Sequence, residues 1–215
     1  MALTILKKAV VVVFDICSST EILIQLSANG EEQRFWHALR DIKRHLVEVR
    51  KQKPFPFNAY KFTGDGWILI FPSTVDGEAL LAVLRDLCVF YKEHYLAEIE
   101  PYLDVAPEST GLTFGIAKGT LAPAQFFGKE EYIGLPLVVA TRLQGAIKHK
   151  DGQPGYKMLC SKSVYKEQFS KAAETYKVVK TKRDLHNIGG GAPFECMKVS
   201  LLSKPAQQRA SGQAR

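Results

Sequence analysis

The stretch YKFTGDGWILIF, from Tyr60 to Phe71, decides the fold because it reads as two strands joined by a tight turn. Apolar and aromatic residues alternate on both sides of Gly64-Asp65-Gly66, and glycines around an acid are typical of a hairpin turn. Asp65 is therefore predicted at the tip of a hairpin. An acid in this position is either a turn residue or a ligand, and the rest of the chain bears on that choice.

The segments around this hairpin predict an α+β fold. The run KKAVVVVFDI is continuous and β-branched, as in a strand buried on both faces; it ends near Asp15, and SST follows as a helix start. Apolar spacing predicts one helix from Phe35 to Val49 and a second over about 75–99, and GLTFGIAKG predicts another strand. A third helix at GLPLVVATRLQGAIK and short strands at YKMLCS, TYKVVK and FECMKVS follow. This βαββαβ order is that of a ferredoxin-like sheet with helices on one face and extra C-terminal strands.

Length and composition predict a single folded domain. The chain has 215 residues, of which 46% are hydrophobic and 24% charged, enough for a core without disulfides or metal. We expect the domain to span residues 1–202 and residues 203–215 to form a disordered tail. No apolar run has the length of a membrane span, and the four cysteines lack metal-binding or redox spacing, so we expect a cytoplasmic protein with reduced thiols. The net charge of +7 is scattered; it suits a polyphosphate substrate and does not favour nucleic-acid binding.

Two acids are predicted at the same end of the sheet. In a βαββαβ sheet the end of the first strand, at Asp15, and the tip of the central hairpin, at Asp65, can lie side by side. Two adjacent carboxylates repel each other unless a cation lies between them, so the pair favours a divalent metal site. The helix that begins after Asp15 offers free N–H groups to a phosphate. Taken singly, either acid is explained as well by turn chemistry or helix capping.

Three motifs in this order resemble the catalytic domain of class III nucleotidyl cyclases: VVVFDICSSTEI, KFTGDGWILIF and GLTFGIAKG…YIGLPLVVATRLQGA. The resemblance covers about Val10 to Lys150. It implies that Asp15, Asp65 and the Ile16 carbonyl hold two Mg²⁺ or Mn²⁺ ions. It also agrees with phosphate binding at the following helix start, which carries Ser18, Ser19 and Thr20.

The same resemblance implies roles for residues later in the chain. Lys61, in the pattern KxxGD, matches a lysine that contacts the base, and Arg142 matches an arginine that stabilises charge on the α-phosphate. Taken alone, each is explained as well by an exposed side chain or a surface salt bridge. In this family the metal-binding acids of one subunit face the lysine and arginine of the other. The resemblance thus implies a homodimer with composite active sites and a nucleoside triphosphate substrate.

The sequence departs from the purine-specific members of the family around the base. Val138 stands where an asparagine usually orients the ribose, and the second base-reading position aligns near Glu131 and Tyr132, the latter a candidate substrate contact. A lysine for the triphosphate is expected near NIGGGAPFECMKV, where glycines stand instead; Lys180 or Lys182 could replace it.

A base pocket altered in this way resembles the bacterial pyrimidine cyclases of Pycsar anti-phage defence. These make cyclic UMP or cyclic CMP, which activates a separate effector protein. Tyr60, Tyr132 or Phe55 could narrow the pocket for a smaller ring. The leading hypothesis is therefore a pyrimidine nucleotidyl cyclase that uses UTP or CTP. An adenylate cyclase with an unusual pocket and a non-catalytic nucleotide-binding or dimerisation module are the alternatives.

Overall fold

A computed structural model describes residues 6–53, 55–147 and 155–202, and it confirms the predicted βαββαβ order. The predicted tail, residues 203–215, lies outside the described residues. The first seven elements are β1 (Lys7–Ile16), α1 (Ser19–Ala28), α2 (Glu32–Gln52), β2 (Asn58–Phe62), β3 (Gly66–Pro72), α3 (Gly77–Glu98) and β4 (Leu112–Phe126). The next seven are β5 (Lys129–Ile133), α4 (Leu135–Gly145), β6 (Lys157–Ser161), α5 (Lys162–Gln168), α6 (Ala172–Thr175), β7 (Lys177–Arg183) and β8 (Phe194–Ser200).

The strands form one sheet in the order β2-β3-β1-β4-β6-β8-β7, with β5 paired to β4 as a hairpin. Each of the first four strands in this order is antiparallel to its neighbours among them, which is the ferredoxin-like core. Strand β6 joins it parallel to β4, and β8 and β7 continue antiparallel. The extra C-terminal strands predicted from the sequence are therefore confirmed, and they extend the sheet away from β2.

Helices cover both faces of the sheet, which differs from the expectation of helices on one face. Val10 and Val12 of β1 pack with α1, α2 and α3, whereas Val11 and Val13 pack with Ala140 of α4 on the other face. The physical reason is the β-branched run itself, since a strand that is apolar on both faces needs cover on both. Helix α4 thus brings its C-terminal turn, with Arg142, to the face opposite α1–α3.

The two long helices bury the faces that their spacing predicts. In α3 the four residues predicted inward, Leu80, Leu84, Leu87 and Tyr91, are all buried. In α2 one position differs. Leu39 is only partly buried, and its small neighbour Ala38 packs inward instead. Leu39 therefore lies at the border between the core and the surface.

The β4–β5 hairpin was not predicted from the sequence. Its turn is Phe127-Gly128, and both residues have positive φ, 50° and 75°. A two-residue turn of this kind matches the twist of the strands that it joins, and glycine is the residue that adopts it most readily. Because phenylalanine in the first position is not a usual turn residue, the sequence does not indicate this hairpin. The hairpin places Glu131 and Tyr132 in a strand.

Two general expectations bear on the whole chain. All four cysteines are free thiols, with no disulfide among them. Within the described ranges every helix is too short or too polar to cross a bilayer.

Candidate active site

Strand pairing brings the two predicted acids together. Strands β1 and β3 are antiparallel, and their register places Asp15 opposite Gly66, the residue after Asp65. Asp15 is the penultimate residue of β1, and Asp65 lies in the turn just before β3. Both side chains are partly buried. The end of the first strand and the hairpin tip therefore lie side by side, as the βαββαβ order predicts.

The two glycines beside Asp65 have backbone roles of their own. A Cβ atom at Gly66 would lie 1.9 Å from the carbonyl oxygen of Phe14, so only glycine lets the hairpin approach β1 this closely. Gly64 has a φ of +111°, a conformation that other residues rarely adopt. The tight turn is thus built by the glycines. This leaves the Asp65 carboxylate available for another role.

Asp15 is electrostatically the most unusual group at this end of the sheet. Burial, together with the neighbouring Asp65 through a hydrogen bond when one carboxyl is protonated and through its charge, raises the pKa of Asp15 to about 8. The Oδ1 atom of Asp15 is buried without a hydrogen-bond partner. A buried carboxylate with an unpaired oxygen beside a second carboxylate is a site that a cation would stabilise.

The residues present fit a divalent ion that is shared with a substrate. The donors are the Asp15 and Asp65 carboxylates and the Ile16 carbonyl, all oxygen atoms, which Mg²⁺ and Mn²⁺ prefer. Across the described ranges, no group of three or more His, Cys, Asp or Glu side chains is arranged to enclose an ion. Mg²⁺ is commonly held by one or two carboxylates together with substrate phosphates and water. Two acids at an open sheet end correspond to that arrangement.

The start of α1 supports this pair directly. The Ser19 hydroxyl donates a hydrogen bond to the Asp65 carboxylate, so in this structure Ser19 orients an acid. Ser18 has a left-handed conformation and its side chain makes no capping hydrogen bond, and Thr20 is exposed. The helix begins at Ser19, where the sequence predicted it, and its first amides are close in sequence to Asp15. The Ser19–Asp65 bond was not predicted, since no local pattern links residues 46 positions apart.

A second group of side chains, which we call the substrate-side cluster, lies on β2 and β5. Lys61 donates to both carboxylate oxygens of Glu131, at 3.2 and 3.3 Å, and the Tyr60 hydroxyl donates to the same carboxylate. Adjacent strand residues normally point to opposite faces. Here the pairing of β2 with β3 is irregular between Ala59 and Lys61, and such a bulge allows Tyr60 and Lys61 to reach the same partner. The hydrogen bond from Tyr60 contributes most, and that from Lys61 next, to holding the pKa of Glu131 below its usual value.

Tyr132 completes the substrate-side cluster. Its backbone N–H donates to the Tyr60 hydroxyl at 2.9 Å, and the two rings meet edge to face at 5.3 Å between centroids. The Tyr132 hydroxyl donates to Glu130 at 2.8 Å and accepts from the Lys7 ammonium at 3.1 Å. Of the three aromatic residues suggested as pocket walls, Tyr60 and Tyr132 are thus together. Phe55 packs near Phe71 in the core instead.

Arg142 stands apart from both groups. It is exposed on α4, and among the described residues it makes no hydrogen bond or ion pair. Val138 lies one helical turn before it and is 49% exposed. Arg142 lines a groove of about 370 Å³ that also includes Arg183 and His186. Within one chain, therefore, Arg142 has no contact with Asp15.

The two lysines suggested for the triphosphate lie on β7. Lys180 forms an ion pair with Glu195 at 3.2 Å, and Glu195 also pairs with Lys162 at 2.9 Å. Lys182 is exposed on the same strand. The glycine turn leads into β8, and Gly190 and Gly191 have positive φ. Lys180 thus already forms an ion pair, so Lys182 is the more accessible candidate for contacting a triphosphate.

Comparisons with known proteins identify the fold. No protein-family model and no curated protein sequence matches the chain. Solved structures do match. The adenylyl cyclase CyaB from P. aeruginosa superposes with a TM-score of 0.65 at 17% identity, over 91% of this chain and 95% of that one. The guanylyl cyclase Cya2 gives 0.65 at 13% identity, over 96% and 97% of the two chains. An adenylate cyclase from Trypanosoma brucei gives 0.62 at 12% identity, over 93% and 91%. The chain therefore has the fold of class III nucleotidyl cyclase catalytic domains.

Proposed function

We propose that this chain is a pyrimidine nucleotidyl cyclase that converts UTP or CTP to the 3′,5′-cyclic nucleotide and pyrophosphate. In this reaction the ribose 3′-oxygen attacks the α-phosphorus, its proton is lost, and pyrophosphate leaves. The observation that carries the proposal is the pairing of Asp15 and Asp65 at the end of the sheet, with an unpartnered buried oxygen on Asp15. A structural turn residue would not need a second carboxylate beside it.

The residues of the chain would have separate roles in this reaction. Asp15, Asp65 and the Ile16 carbonyl would hold two divalent ions, with Ser19 orienting Asp65. Such ions, when bound, supply Lewis-acid activation of the 3′-hydroxyl and charge neutralisation of the polyphosphate. Arg142, exposed and without a partner among the described residues, would stabilise charge on the α-phosphate.

The substrate-side cluster supports base recognition. Lys61 is a donor and Glu131 an acceptor, held together at 3.2 Å, so the two present adjacent complementary groups to a base edge. Uracil offers a carbonyl acceptor next to its N3–H donor, and cytosine offers N3 next to its amino group. Purines also present such edges, so this pair alone does not select the base. The Tyr60–Tyr132 ring contact and the apolar Val138 are what favour a smaller ring and disfavour the usual purine contacts.

A homodimer is part of the proposal because one subunit keeps Arg142 away from the acids. Large apolar side chains are exposed along the β4–β5 hairpin and the start of α4: Phe126, Phe127, Ile133, Leu135 and Val138. Several large exposed apolar side chains in one segment support an interface there. A second copy packed on it by two-fold symmetry would create two equivalent sites.

The resemblance to the Pycsar cyclases extends the proposal to a role in anti-phage defence, through a separate cyclic-nucleotide effector in the cytoplasm.

The test is to incubate the purified protein with each of the four ribonucleoside triphosphates and Mn²⁺ and to separate the products by chromatography. We expect cyclic UMP or cyclic CMP with an equal amount of pyrophosphate. Asp65→Ala protein serves as the control for contaminating activity. If ATP is converted faster than UTP and CTP at equal concentration, the pyrimidine assignment is wrong.

An adenylate cyclase is the second candidate, favoured by one observation. The Lys61–Glu131 pair also matches the N1 acceptor and N6 donor of adenine. The same assay decides between the two. If no nucleotide is cyclised, the third alternative, a non-catalytic nucleotide-binding or dimerisation module, takes their place.

A further inference from the structure

We propose that the groove between α2 and the edge strand β2 binds an extended, acidic peptide segment of a separate protein. We call this groove the edge groove. It has a volume of about 500 Å³ and lies at the end of the sheet away from β7. Its lining residues are Leu39, Arg40 and Lys43 of α2, Ala59 and Phe62 of β2, and Trp67 of β3.

The strand that borders the edge groove has an open side. In the part of the chain that the structure describes, β2 pairs only with β3 and ends the sheet. Its outward N–H and C=O groups can therefore pair with another extended backbone, which is how peptides add to a sheet edge. Natural edge strands are usually protected. In β2 the features that limit such pairing are its five-residue length, one bulge and the charge of Lys61, which is engaged with Glu131.

Large apolar side chains are exposed on the surface beside that edge. The Phe62 side chain is 51% exposed although its ring packs 4.9 Å from that of Trp67. On α2, Trp36 and Val47 are also exposed. Together with Arg40 and Lys43 they follow a 4-3-4 spacing, which is one face of a helix. This stripe runs beside the edge groove, so a side chain of an added strand would find aromatic contacts.

The charge around the edge groove specifies the partner. Arg40 has only a long contact of 3.7 Å with Asp41, and Lys43 makes no ion pair with any described residue. Both cations are exposed and border the apolar stripe. Carboxylates that flank an apolar or aromatic side chain would complement them.

Other occupants fit less well. A second copy whose own edge groove packed on this one across a two-fold axis would bring Arg40 and Lys43 close to the same two cations, which repel. A nucleic acid would meet the cations but offers no extended peptide backbone for β2. An acidic peptide segment satisfies the open edge, the apolar stripe and the charges together.

This inference does not depend on cyclase activity. Ala59 and Phe62 of β2 border the edge groove, whereas Tyr60 and Lys61 of the same strand contact Glu131 in the substrate-side cluster. Binding in the edge groove can therefore be measured on protein without any nucleotide.

The experiment is a selection of random peptides displayed on phage against the full-length protein, followed by titration of the best synthetic peptides. The chain has two tryptophans, Trp67 in the edge groove and Trp36 on the stripe beside it, so intrinsic fluorescence reports binding directly. We expect enriched peptides that alternate acidic with aromatic or β-branched residues. N-methylation of alternate peptide amides should abolish their binding, because it removes the donors that pair with β2.

A pair of charge-reversal variants locates the site. The double substitution Arg40→Glu, Lys43→Glu should weaken binding of these peptides by at least about tenfold. The matched double substitution Lys92→Glu, Lys171→Glu, at exposed positions that lie outside α2 and do not line the groove, should leave it unchanged.

The proposal is overturned if no acidic peptide is enriched, or if the enriched peptides bind equally to both double variants. It is also overturned if a poly(dT) oligonucleotide shows the same Arg40 and Lys43 dependence in place of the peptides. Light scattering provides the remaining check. A change of oligomeric state in the Arg40→Glu, Lys43→Glu protein would assign the edge groove to a second copy of the chain.

Discussion

The tip of the β2–β3 hairpin and its strand β2 carry parts of the candidate site that are held in place in different ways. At the tip, the Asp15–Asp65 pair is fixed by the main chain. The β1–β3 register and the close approach at Gly66 set the distance between strand end and turn. Along the strand, the substrate-side cluster is fixed by side chains. A bulge lets Tyr60 and Lys61 reach Glu131, which arrives on a separate hairpin about 70 residues later in the chain.

This difference indicates which part of such a site tolerates amino-acid substitution. A carboxylate pair held by backbone register has little freedom to vary, because moving it means moving two central strands. A cluster held by hydrogen bonds between exposed or partly buried side chains near the surface can be altered one residue at a time without unfolding the sheet. The chemistry is therefore expected to reside at the tip, and the choice of base along the strand.

The largest effect is expected from Asp65→Ala. It should reduce turnover by more than about a hundredfold, because even residues that only orient metal ligands cost 10–100-fold when they are lost. The melting temperature should stay close to that of wild type, since Asp65 lies in a turn whose geometry depends on its two glycines. Turnover and thermal melting measure the two quantities.

Ser19→Ala is the matched control, because it removes the hydrogen bond to Asp65 and keeps both carboxylates. It should reduce turnover less than Asp65→Ala does. A melting temperature for Asp65→Ala as low as that of a core variant would show instead that Asp65 is a structural turn residue.

The next effect tests whether the acids at the tip and Arg142 of one active site come from different subunits. Asp15→Ala and Arg142→Ala proteins should each be nearly inactive, since every composite site needs both residues. After mixing, a heterodimer would hold one site without either residue and one complete site, so activity should partly return. The readout is turnover of the mixture against each variant alone. Absence of recovery, when subunit exchange has been demonstrated by labelling the two variants differently, would place both residues in one subunit's site.

A smaller effect is expected from Lys61→Glu in the substrate-side cluster. The substitution removes a charged hydrogen bond to the base, worth roughly 1.5–3 kcal/mol, and sets a second carboxylate against Glu131. Turnover of UTP should fall by at least about tenfold. Mn²⁺ binding, followed by thermal shift, should survive. Loss of Mn²⁺ binding in this variant would contradict the separation of metal binding at the hairpin tip from base recognition along β2.

The smallest effect is expected from Tyr60→Phe, which keeps the ring and removes the hydroxyl. That hydroxyl donates to Glu131 and accepts from the Tyr132 amide, so about 1 kcal/mol, or roughly fivefold, should be lost in KM for the pyrimidine substrate. The kcat should change little, since the acids are untouched. Steady-state kinetics separates the two constants, and a fall in kcat with an unchanged KM would contradict this role.

The same contrast explains what the sequence alone could predict. The alternation around Gly64-Asp65-Gly66 and the β-branched run ending near Asp15 are local signals, so the strands, the hairpin and the proximity of the acids follow from them. The spacing of apolar residues likewise predicted α2 and α3, with Leu39 as the exception because it lies at the border of the buried face.

The parts that were missed depend on contacts between distant residues. Neither the β2 bulge nor the Ser19–Asp65 hydrogen bond has a local pattern, and the β4–β5 turn carries Phe127 where a turn residue is usual. The position of α4 on the second face follows from a strand that is apolar on both sides. That signal is present in the β-branched run, whereas the ferredoxin-like order by itself predicts one layer of helices.

The measurement that tests the central account most directly is the pH dependence of Mn²⁺ affinity, by calorimetry on wild-type and Asp15→Asn proteins. Because burial and Asp65 raise the pKa of Asp15 to about 8, Asp15 is protonated below that pH and a metal ion must displace the proton. Affinity should therefore rise about tenfold per pH unit from pH 6 towards 8, where about one proton is released per ion bound, and level off above it, where proton release falls towards zero. Asp15→Asn protein should bind Mn²⁺ far more weakly, without this slope. An affinity for Mn²⁺ that is independent of pH, or unchanged in Asp15→Asn, would contradict a metal site at the Asp15–Asp65 pair.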